Sequence, residues 1–270
     1  MIARPVVALL LGAVMVIVAA AGCLGSNTPA ARDALPRSVE SDALPPLLRV
    51  GMDAAYAPME SMNRTSGAFE GFDVDLMREV AARRSVTAEF HNIAWDDLPG
   101  ALNSGRIDVI ASSMTITDHR MKDRDFTAPY YLLDQSVLVR VGSAIREPGH
   151  LEGRIIGVQT QTTAETWVLD NLVAHGKGAN DSLRRYPTYE AVTAALLAEE
   201  VEAVISDRPP QVLFARTHPN TTVAFDIHTA EALGLAVKKG RSDLLHALNE
   251  TLDELRADGT LDRLKRSHGL

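Results

Sequence analysis

The chain has 270 residues, enough for one or two domains, and its composition of 46% hydrophobic and 23% charged residues excludes a wholly disordered protein. Its 35 acidic residues outnumber its 27 basic ones, and the formal net charge of −8 argues against a broad nucleic-acid-binding surface. One cysteine excludes an internal disulfide and a cysteine-rich zinc site, and the histidines show no metal-ligand spacing. The sequence therefore predicts no metal and no cofactor.

Residues 1–22 have the pattern of a secretory signal peptide. Arg4 supplies the positive charge, residues 6–24 are almost wholly apolar, and small residues end the run directly before the single cysteine, Cys23. This placement is similar to a bacterial lipobox, in which the cysteine becomes the lipidated N-terminus. An uncleaved anchor and plain secretion are alternatives, since about 20 apolar residues can span a bilayer. All three predict an extracytoplasmic protein, and the lipobox predicts lipid anchoring to the cell membrane, in the periplasm or at the cell surface.

Residues 23–44 are rich in serine, asparagine, threonine, proline and alanine and show no hydrophobic periodicity. Such a composition predicts a flexible tether after Cys23. We expect the folded part to begin near Pro45.

From Leu47 onward, short apolar runs alternate with segments of helical periodicity. Strands are predicted at 47–52, 86–91 and 107–111, and helices at 73–84 and 95–102. Strands that alternate with helices predict an α/β fold with largely parallel sheets. The later runs 136–141 and 231–237 are candidates for two strands that cross between lobes.

An internal match supports two similar lobes. The segment WDDLPGALNSGRIDVIASS (95–113) lies without gaps over YEAVTAALLAEEVEAVISD (189–207), so that Ile107 falls on Val201 and Asp108 on Glu202. Any two α/β units share some likeness, which is the alternative explanation. Polar residues follow the predicted strands of both units, and ligands of open α/β sheets bind beyond the carboxyl ends of the strands. Two lobes with these ends facing each other would enclose a cleft.

Six motifs occur in one order: RVGMDAAYAPME (49–60), GFDVDL (71–76), WDDLPGALNSGRIDVIASSMTITDHR (95–120), FTAPYY (126–131), GVQTQTTAE (157–165) and ELRADGTLDRL (254–264). Together they resemble the extracellular solute-binding proteins of polar amino-acid ABC transporters. The resemblance covers nearly the whole predicted folded part. It implies two Rossmann-like lobes joined by two hinge strands, the Venus-flytrap form of a type II periplasmic binding protein. It also implies a monomer that delivers an amino acid to an ABC permease in the membrane.

The expected lobe boundaries follow from the two candidate crossing strands. Lobe 1 is expected at 45–134 and 230–270, and lobe 2 at 135–229.

Arg120 and Asp207 are the central candidates for ligand binding. Arg120 follows Thr117 and Asp118, either of which could cap a short helix, and a planar guanidinium suits a bidentate grip on a carboxylate. Asp207 ends a predicted strand, and the Pro209 that follows it is also typical of a helix whose N-cap is Asp207. A solvated arginine and a simple cap are the alternatives. The resemblance implies that Arg120 holds the α-carboxylate of the ligand and Asp207 its α-ammonium.

Ser112, Ser113 and Thr115 follow the predicted strand at 107–111, and their polar groups can satisfy either end of a zwitterion or form an ordinary turn. Thr163 stands at the start of a predicted helix, where a ligand carboxylate is favoured. Alternatively, Thr163 is only the N-cap of this helix. Gln159 lies at another strand end and is a further candidate. At Gln161 the sequence departs from the resembling family, which usually has glycine there.

The side chain of the ligand is expected between Tyr56, Trp95, Asp53 and Glu60. The aromatic rings would form walls, although core packing is their alternative, and Glu60 could instead be a solvated surface acid. Two carboxylates beside two rings suit a cationic or amide side chain, so arginine, lysine, histidine and glutamine are the favoured ligands.

Two other function classes remain open at this point. Some proteins similar to this family are dehydratases of prephenate or arogenate, which need an acid or base aimed at the leaving hydroxyl. Asp53, Glu60 or Glu165 could take that part, but nothing in the sequence favours it. A ligand-sensing module is the third class, and the lipobox-like segment favours capture over signalling. We therefore predict a binding protein rather than an enzyme.

Overall fold

The structure is a computed structural model, and it describes residues 44–178 and 180–270. The predicted signal peptide, Cys23 and all of the predicted tether except Leu44 lie outside the described residues. Among the described helices, none combines the length and the hydropathy needed to cross a lipid bilayer.

Strands and helices alternate along the described chain, as predicted. The strands are β1 (Leu47–Met52), β2 (Ala55–Tyr56), β3 (Glu60–Met62), β4 (Phe69–Glu70), β5 (Thr87–Asn92), β6 (Val109–Ile110), β7 (Arg124–Phe126), β8 (Tyr131–Arg140), β9 (Ile156–Gln159), β10 (Leu183–Tyr186), β11 (Ala203–Asp207), β12 (Thr221–Leu233) and β13 (Ala236–Lys238). The helices are α1 (Phe72–Arg84), α2 (Leu98–Ser104), α3 (Thr163–Val168), α4 (Tyr189–Leu197), α5 (Arg208–Thr217), α6 (Ser242–Ala257) and α7 (Thr260–Ser267).

The strands form two five-stranded sheets of the same order, and each sheet is the centre of one lobe. The first lobe is built on β5-β1-β6-β13-β7 and the second on β10-β9-β11-β8-β12; a small sheet of β2, β3 and β4 belongs to the first lobe. In the first large sheet only β13 runs against its neighbours, and in the second only β8 does. The prediction of an α/β fold with largely parallel sheets is confirmed.

The internal sequence match corresponds to one structural unit used twice. In the first lobe α2 leads into β6, and in the second α4 leads into β11. The matched acids have the same contacts: Asp108 accepts from the backbone N–H of Arg49 at 2.9 Å, and Glu202 from that of Ile155 at 3.0 Å. Each acid also pairs with an arginine, Arg49 and Arg154 respectively. In both lobes the acid therefore joins the start of the strand that follows the helix to the neighbouring strand of the same sheet.

Strands β8 and β12 pair antiparallel and connect the two hydrophobic cores. Leu133 and Leu233 pack in the core of the first lobe, whereas Val137 and Ile227 pack in that of the second. The predicted single run at 231–237 is wrong in one respect, because it contains two strands. The chain leaves β12 after Leu233 and joins the other sheet as β13, since the following apolar residues pair with β6.

Candidate functional site

A cavity of about 470 Å³ lies where the strand ends of the two lobes face each other. Its walls include all eleven predicted ligand residues: Asp53, Tyr56, Glu60, Trp95, Ser112, Ser113, Thr115, Arg120, Gln159, Thr163 and Asp207. Residues far apart in the chain are thus brought to one place.

The lobes are closed over this cavity by direct side-chain contacts. The hydroxyl groups of Tyr56 and Ser206 lie 2.7 Å apart, and the Tyr56 oxygen also accepts from the backbone N–H of Asp207 at 3.3 Å. At the rim, Thr160 donates to the carboxylate of Asp96 at 2.9 Å. Each contact joins one lobe to the other.

Arg120 projects into the cavity from a 3-10 helix at Arg120–Lys122. The hydroxyl of Thr117 accepts from the backbone N–H of Arg120 at 3.2 Å, so one of the two predicted caps is present. The guanidinium donates to the carbonyl oxygens of Thr115 at 2.9 Å and Gln161 at 3.1 Å. Among the described residues no carboxylate oxygen lies within 4.0 Å of its nitrogens.

Burial lowers the pKa of Arg120 to about 10, so the side chain is still a cation at neutral pH. Its guanidinium carbon lies 5.2 Å from the ring centre of Trp95. Trp95 therefore forms a cavity wall, as expected, but part of its face holds the arginine in place. A positioned cation without an ion-pair partner in the described chain is suited to an incoming carboxylate.

Asp207 enters the cavity from the second lobe as the last residue of β11. Asp207 stands at the N-cap position of α5, as its alternative had it, but its carboxyl makes no hydrogen bond to the first turn of that helix. Instead its Oδ1 accepts from the side-chain amide of Gln135 at 2.7 Å. Burial and, second, the nearby charge of Glu231 raise the pKa of Asp207 to about 8.

Gln135 and Glu231 belong to the site and were missed in the sequence. Glu231 accepts from Gln135 at 2.9 Å, from Thr115 at 2.7 Å and from Thr163 at 2.8 Å. The available signal was their position, because Gln135 directly precedes the run at 136–141 and Glu231 begins the run at 231–237. Ala55, Thr162, Ala164, Tyr189 and Ser206 also line the cavity.

Thr163 is the first residue of α3, and Thr162 is its N-cap. The hydroxyl of Thr162 accepts from the backbone N–H of Glu165 at 3.3 Å. The alternative of Thr163 as the cap is therefore wrong, and its hydroxyl is directed to Glu231 instead.

Gln161 has a left-handed backbone, with φ of 58°. Its N–H donates to Glu165 at 2.8 Å, while its carbonyl accepts from Arg120. The loop therefore takes the conformation that favours glycine although glycine is absent here, and the usual cost of this conformation for a non-glycine residue is about 1–2 kcal/mol.

We expect Gln161→Gly to raise the free energy of unfolding by about 1 kcal/mol, because the strain is removed and only part of the gain is offset by the freedom of glycine in the unfolded chain. Urea unfolding monitored by circular dichroism measures this change. Gln161→Ala is the control, since it shortens the side chain and keeps the strain. A Gly variant no more stable than the Ala variant would contradict the explanation.

Ser112 and Ser113 are held by two buried acids. The hydroxyl of Ser112 donates to Glu60 at 2.9 Å and accepts from the backbone N–H of Asp53 at 3.0 Å. The hydroxyl of Ser113 donates to Glu60 at 3.2 Å, and its backbone N–H donates to Asp73 at 2.7 Å. These bonds fix the loop after β6, where Ser113 has a positive φ of 47°.

Glu60 is 1% exposed, so the alternative that it is a solvated surface acid is wrong. Burial and then the charge of Asp73 raise the pKa of Glu60 well above its ordinary value. The two adjacent buried acids disfavour each other's ionisation, which adds to the effect of burial on Glu60. Both expected acids, Asp53 and Glu60, line the cavity, and Asp53 is the more exposed of the two.

The rest of this end combines an amide with aromatic rings. Gln159 donates to Asp53 at 3.4 Å, and burial raises the pKa of Asp53. Tyr56 and Tyr189 pack edge to face, with ring centres 5.0 Å apart. This surface offers the Asp53 carboxyl, amide hydrogen bonds and flat apolar faces to a ligand side chain.

Residues 48–270 match the model of a family described as bacterial extracellular solute-binding proteins, family 3. The chain belongs to this family. The predicted recognition and the fold of two α/β lobes are thereby confirmed, and membership supports the predicted extracytoplasmic location.

This family 3 protein is similar to several characterised amino-acid-binding proteins. It is 30% identical over 220 residues to the L-cystine-binding protein TcyJ of Escherichia coli strain K12, with 80% of each chain covered. It is 30% identical over 227 residues to the L-arginine-binding protein of Pseudomonas aeruginosa strain PAO1, covering 81% of this chain and 86% of that protein. A solved structure of an ancestral arginine-binding protein bound to arginine aligns with a TM-score of 0.78 and 31% identity, covering 83% and 98%. These relatives are binding proteins rather than enzymes.

Proposed function

We propose that the protein binds a polar or cationic amino acid between its lobes and delivers it to an ABC permease in the membrane. The observation that carries this function is the placement of Arg120 and Asp207 on opposite lobes of one cavity. The names of the relatives, which are binding proteins for cystine and arginine, support it.

The zwitterionic part of the ligand would join the lobes. Its carboxylate is received by the Arg120 guanidinium from one lobe, and its ammonium by the carboxyl of Asp207 from the other. Contacts to both lobes exist together only when the lobes are closed. The ligand therefore stabilises the closed state by the difference between its affinities for the closed and open states.

The side chain of the ligand would extend toward Asp53, Tyr56 and Gln159. Asp53 suits a cationic group, and the Gln159 amide together with the Glu60 carboxyl suits an amide or another polar group. Arginine, lysine, histidine and glutamine are the favoured ligands for this surface.

The lobe boundaries, the oligomeric state and the membrane anchor are also part of the proposal. The lobe boundaries are 45–134 with 230–270, and 135–229, so that β8 and β12 act as the two hinges. The protein acts as a monomer and is held at the membrane through lipidated Cys23, which lies outside the described residues. Release of a Cys23→Ala variant from the membrane fraction into the soluble fraction tests the anchor, and retention of that variant would contradict it.

Titration calorimetry of the soluble part with the 20 standard amino acids and cystine tests the function. Tight binding of one or more polar or cationic amino acids, with a 1:1 ratio, is the expected result. If none binds while prephenate or arogenate is converted, the protein is a dehydratase and the proposal is overturned. If none binds and nothing is converted, the amino-acid site itself is refuted.

A further inference from the structure

Gln135 stands between two acids at the centre of the site. It lies in β8, the strand between β11 and β12, and it pairs in register with Asp207 of β11. Its Nε2 is 2.7 Å from Asp207 and 2.9 Å from Glu231 of β12. Carboxylate oxygens attract the amide nitrogen and repel the amide oxygen. The two acids therefore fix the orientation of this amide with its nitrogen toward them.

The oxygen of the same amide, Oε1, takes no part in these contacts. Gln135 is 1% exposed and lines the cavity, and within residues 44–178 and 180–270 its Oε1 has no hydrogen-bond donor. An unsatisfied buried acceptor costs about 1–3 kcal/mol and calls for an explanation. Turning the amide would take its nitrogen away from Glu231 and direct its oxygen at a carboxyl that already accepts from Thr115 and Thr163.

The surroundings decide which ligand group can satisfy this oxygen. The carboxyl groups of Asp207 and Glu231 stand beside this oxygen, and they favour a cationic ligand group there over an anionic one. A primary ammonium bound to Asp207 carries three N–H donors, more than one carboxyl needs. Its remaining donors require acceptors in the same part of the cavity, and the Gln135 oxygen is such an acceptor.

We propose that Gln135 is a ligand-binding residue whose Oε1 accepts a hydrogen bond from the α-ammonium of the bound amino acid. This inference rests on the proposed function. Gln135 is then a specificity residue as well, since a ligand without an α-ammonium leaves its buried oxygen unsatisfied. Its nitrogen also joins Asp207 to Glu231, so one amide aligns the ammonium subsite with the hinge strand β12.

To test the contact, the wild type and a variant are each compared for binding of probes with and without the α-ammonium. Gln135→Met keeps the length of the side chain and removes its polar atoms. Affinities are measured for three pairs of probes that differ only in the α-ammonium: L-arginine and 5-guanidinopentanoate, L-lysine and 6-aminohexanoate, and L-glutamine and 4-carbamoylbutanoate. A hydrogen bond to a charged group contributes about 1.5–3 kcal/mol, so Gln135→Met should weaken binding of the amino acid about 10- to 100-fold. The affinity of the variant for the probe without the α-ammonium should fall less than about threefold.

Gln211→Met is the matched control. Gln211 is also buried in the second lobe, donates through Nε2 to two carbonyl oxygens and has an unpartnered Oε1, but it lies outside the cavity walls. Gln211→Met should leave the ratio of the two affinities unchanged. Equal losses for both members of a probe pair in Gln135→Met, or no loss, would overturn the contact and show a merely structural role.

A crystal structure of the wild-type protein with its tightest-binding amino acid gives a second measurement that does not depend on the variant folding. An ammonium nitrogen within about 3.2 Å of the Gln135 Oε1 supports the proposal, and one beyond hydrogen-bond distance overturns it. Failure of all amino acids to bind the wild type refutes the proposed function, and is distinguishable from binding that does not involve Gln135.

Discussion

Arg120→Ala is expected to weaken amino-acid binding by about 2–5 kcal/mol, which corresponds to roughly 30-fold to several thousand-fold in the dissociation constant. The effect is large because the ligand carboxylate would be enclosed in the cavity without its cation. Loss of the guanidinium also removes its bonds to Thr115 and Gln161, which lie in different lobes. The variant therefore loses both a ligand contact and a contact that favours closure.

Titration calorimetry at pH 7 with the tightest-binding amino acid measures this loss. Lys122→Ala is the matched control, because Lys122 lies on the same short helix, is exposed and does not line the cavity. Arg120→Lys should be intermediate, since it keeps the charge but loses the planar fork and the stacking on Trp95. An Arg120→Ala variant with wild-type affinity would show that the assigned carboxylate subsite is wrong.

Asp207→Asn should have opposite effects on binding and on the stability of the protein without amino acid. Binding should weaken by about 2–5 kcal/mol, because the ammonium loses its ionised partner. The stability of the variant relative to the wild type should rise toward pH 8, since asparagine lacks the carboxyl that only the unfolded chain can readily ionise. An affinity loss caused by misfolding would instead be accompanied by lower stability.

The direction of the pH effect follows from the raised pKa of Asp207. Its pKa is about 8 in the folded protein, against an ordinary value of 3.8. Between these values the folded state holds a proton that the unfolded chain has released, so this group lowers the free energy of unfolding as pH rises from about 4 to 8. Asparagine cannot ionise, and the advantage of Asp207→Asn in melting temperature should therefore grow over this window.

Binding of an amino acid should change the favoured form of Asp207 from protonated to ionised. A ligand ammonium favours the carboxylate, so at pH 7 the wild type should release a proton on binding, and its affinity should increase toward pH 8. Calorimetry in phosphate and in Tris, whose ionisation enthalpies differ, measures the released proton. Asp207→Asn should release none, whereas the exposed Asp181→Asn should behave as the wild type. A wild-type binding enthalpy independent of the buffer would contradict this linkage.

Much of the architecture was predictable because it depends on local patterns. The apolar runs at 47–52 and 86–91 form β1 and β5 to within a residue, and the helical periodicity at 73–84 forms α1. The repeated segment predicted two similar lobes, since the same spacing of apolar and acidic residues produces the same helix–strand unit. Polar residues that directly follow buried strands lie at carboxyl ends, which is why the eleven candidate residues meet in one cavity.

Other features depended on contacts that the local pattern does not contain. The raised pKa of Glu60 follows from its burial beside Asp73, and the orientation of Gln135 follows from Asp207 and Glu231, which are 72 and 96 positions away in the chain. Hydrophobic periodicity decides which face of a strand is buried, but not which polar side chain of another strand it meets. That choice is made by the register of β8 between β11 and β12 and by closure of the lobes. The sequence alone therefore determined the fold and the position of the ligand cavity, while the tertiary structure decided the charges and hydrogen bonds within it.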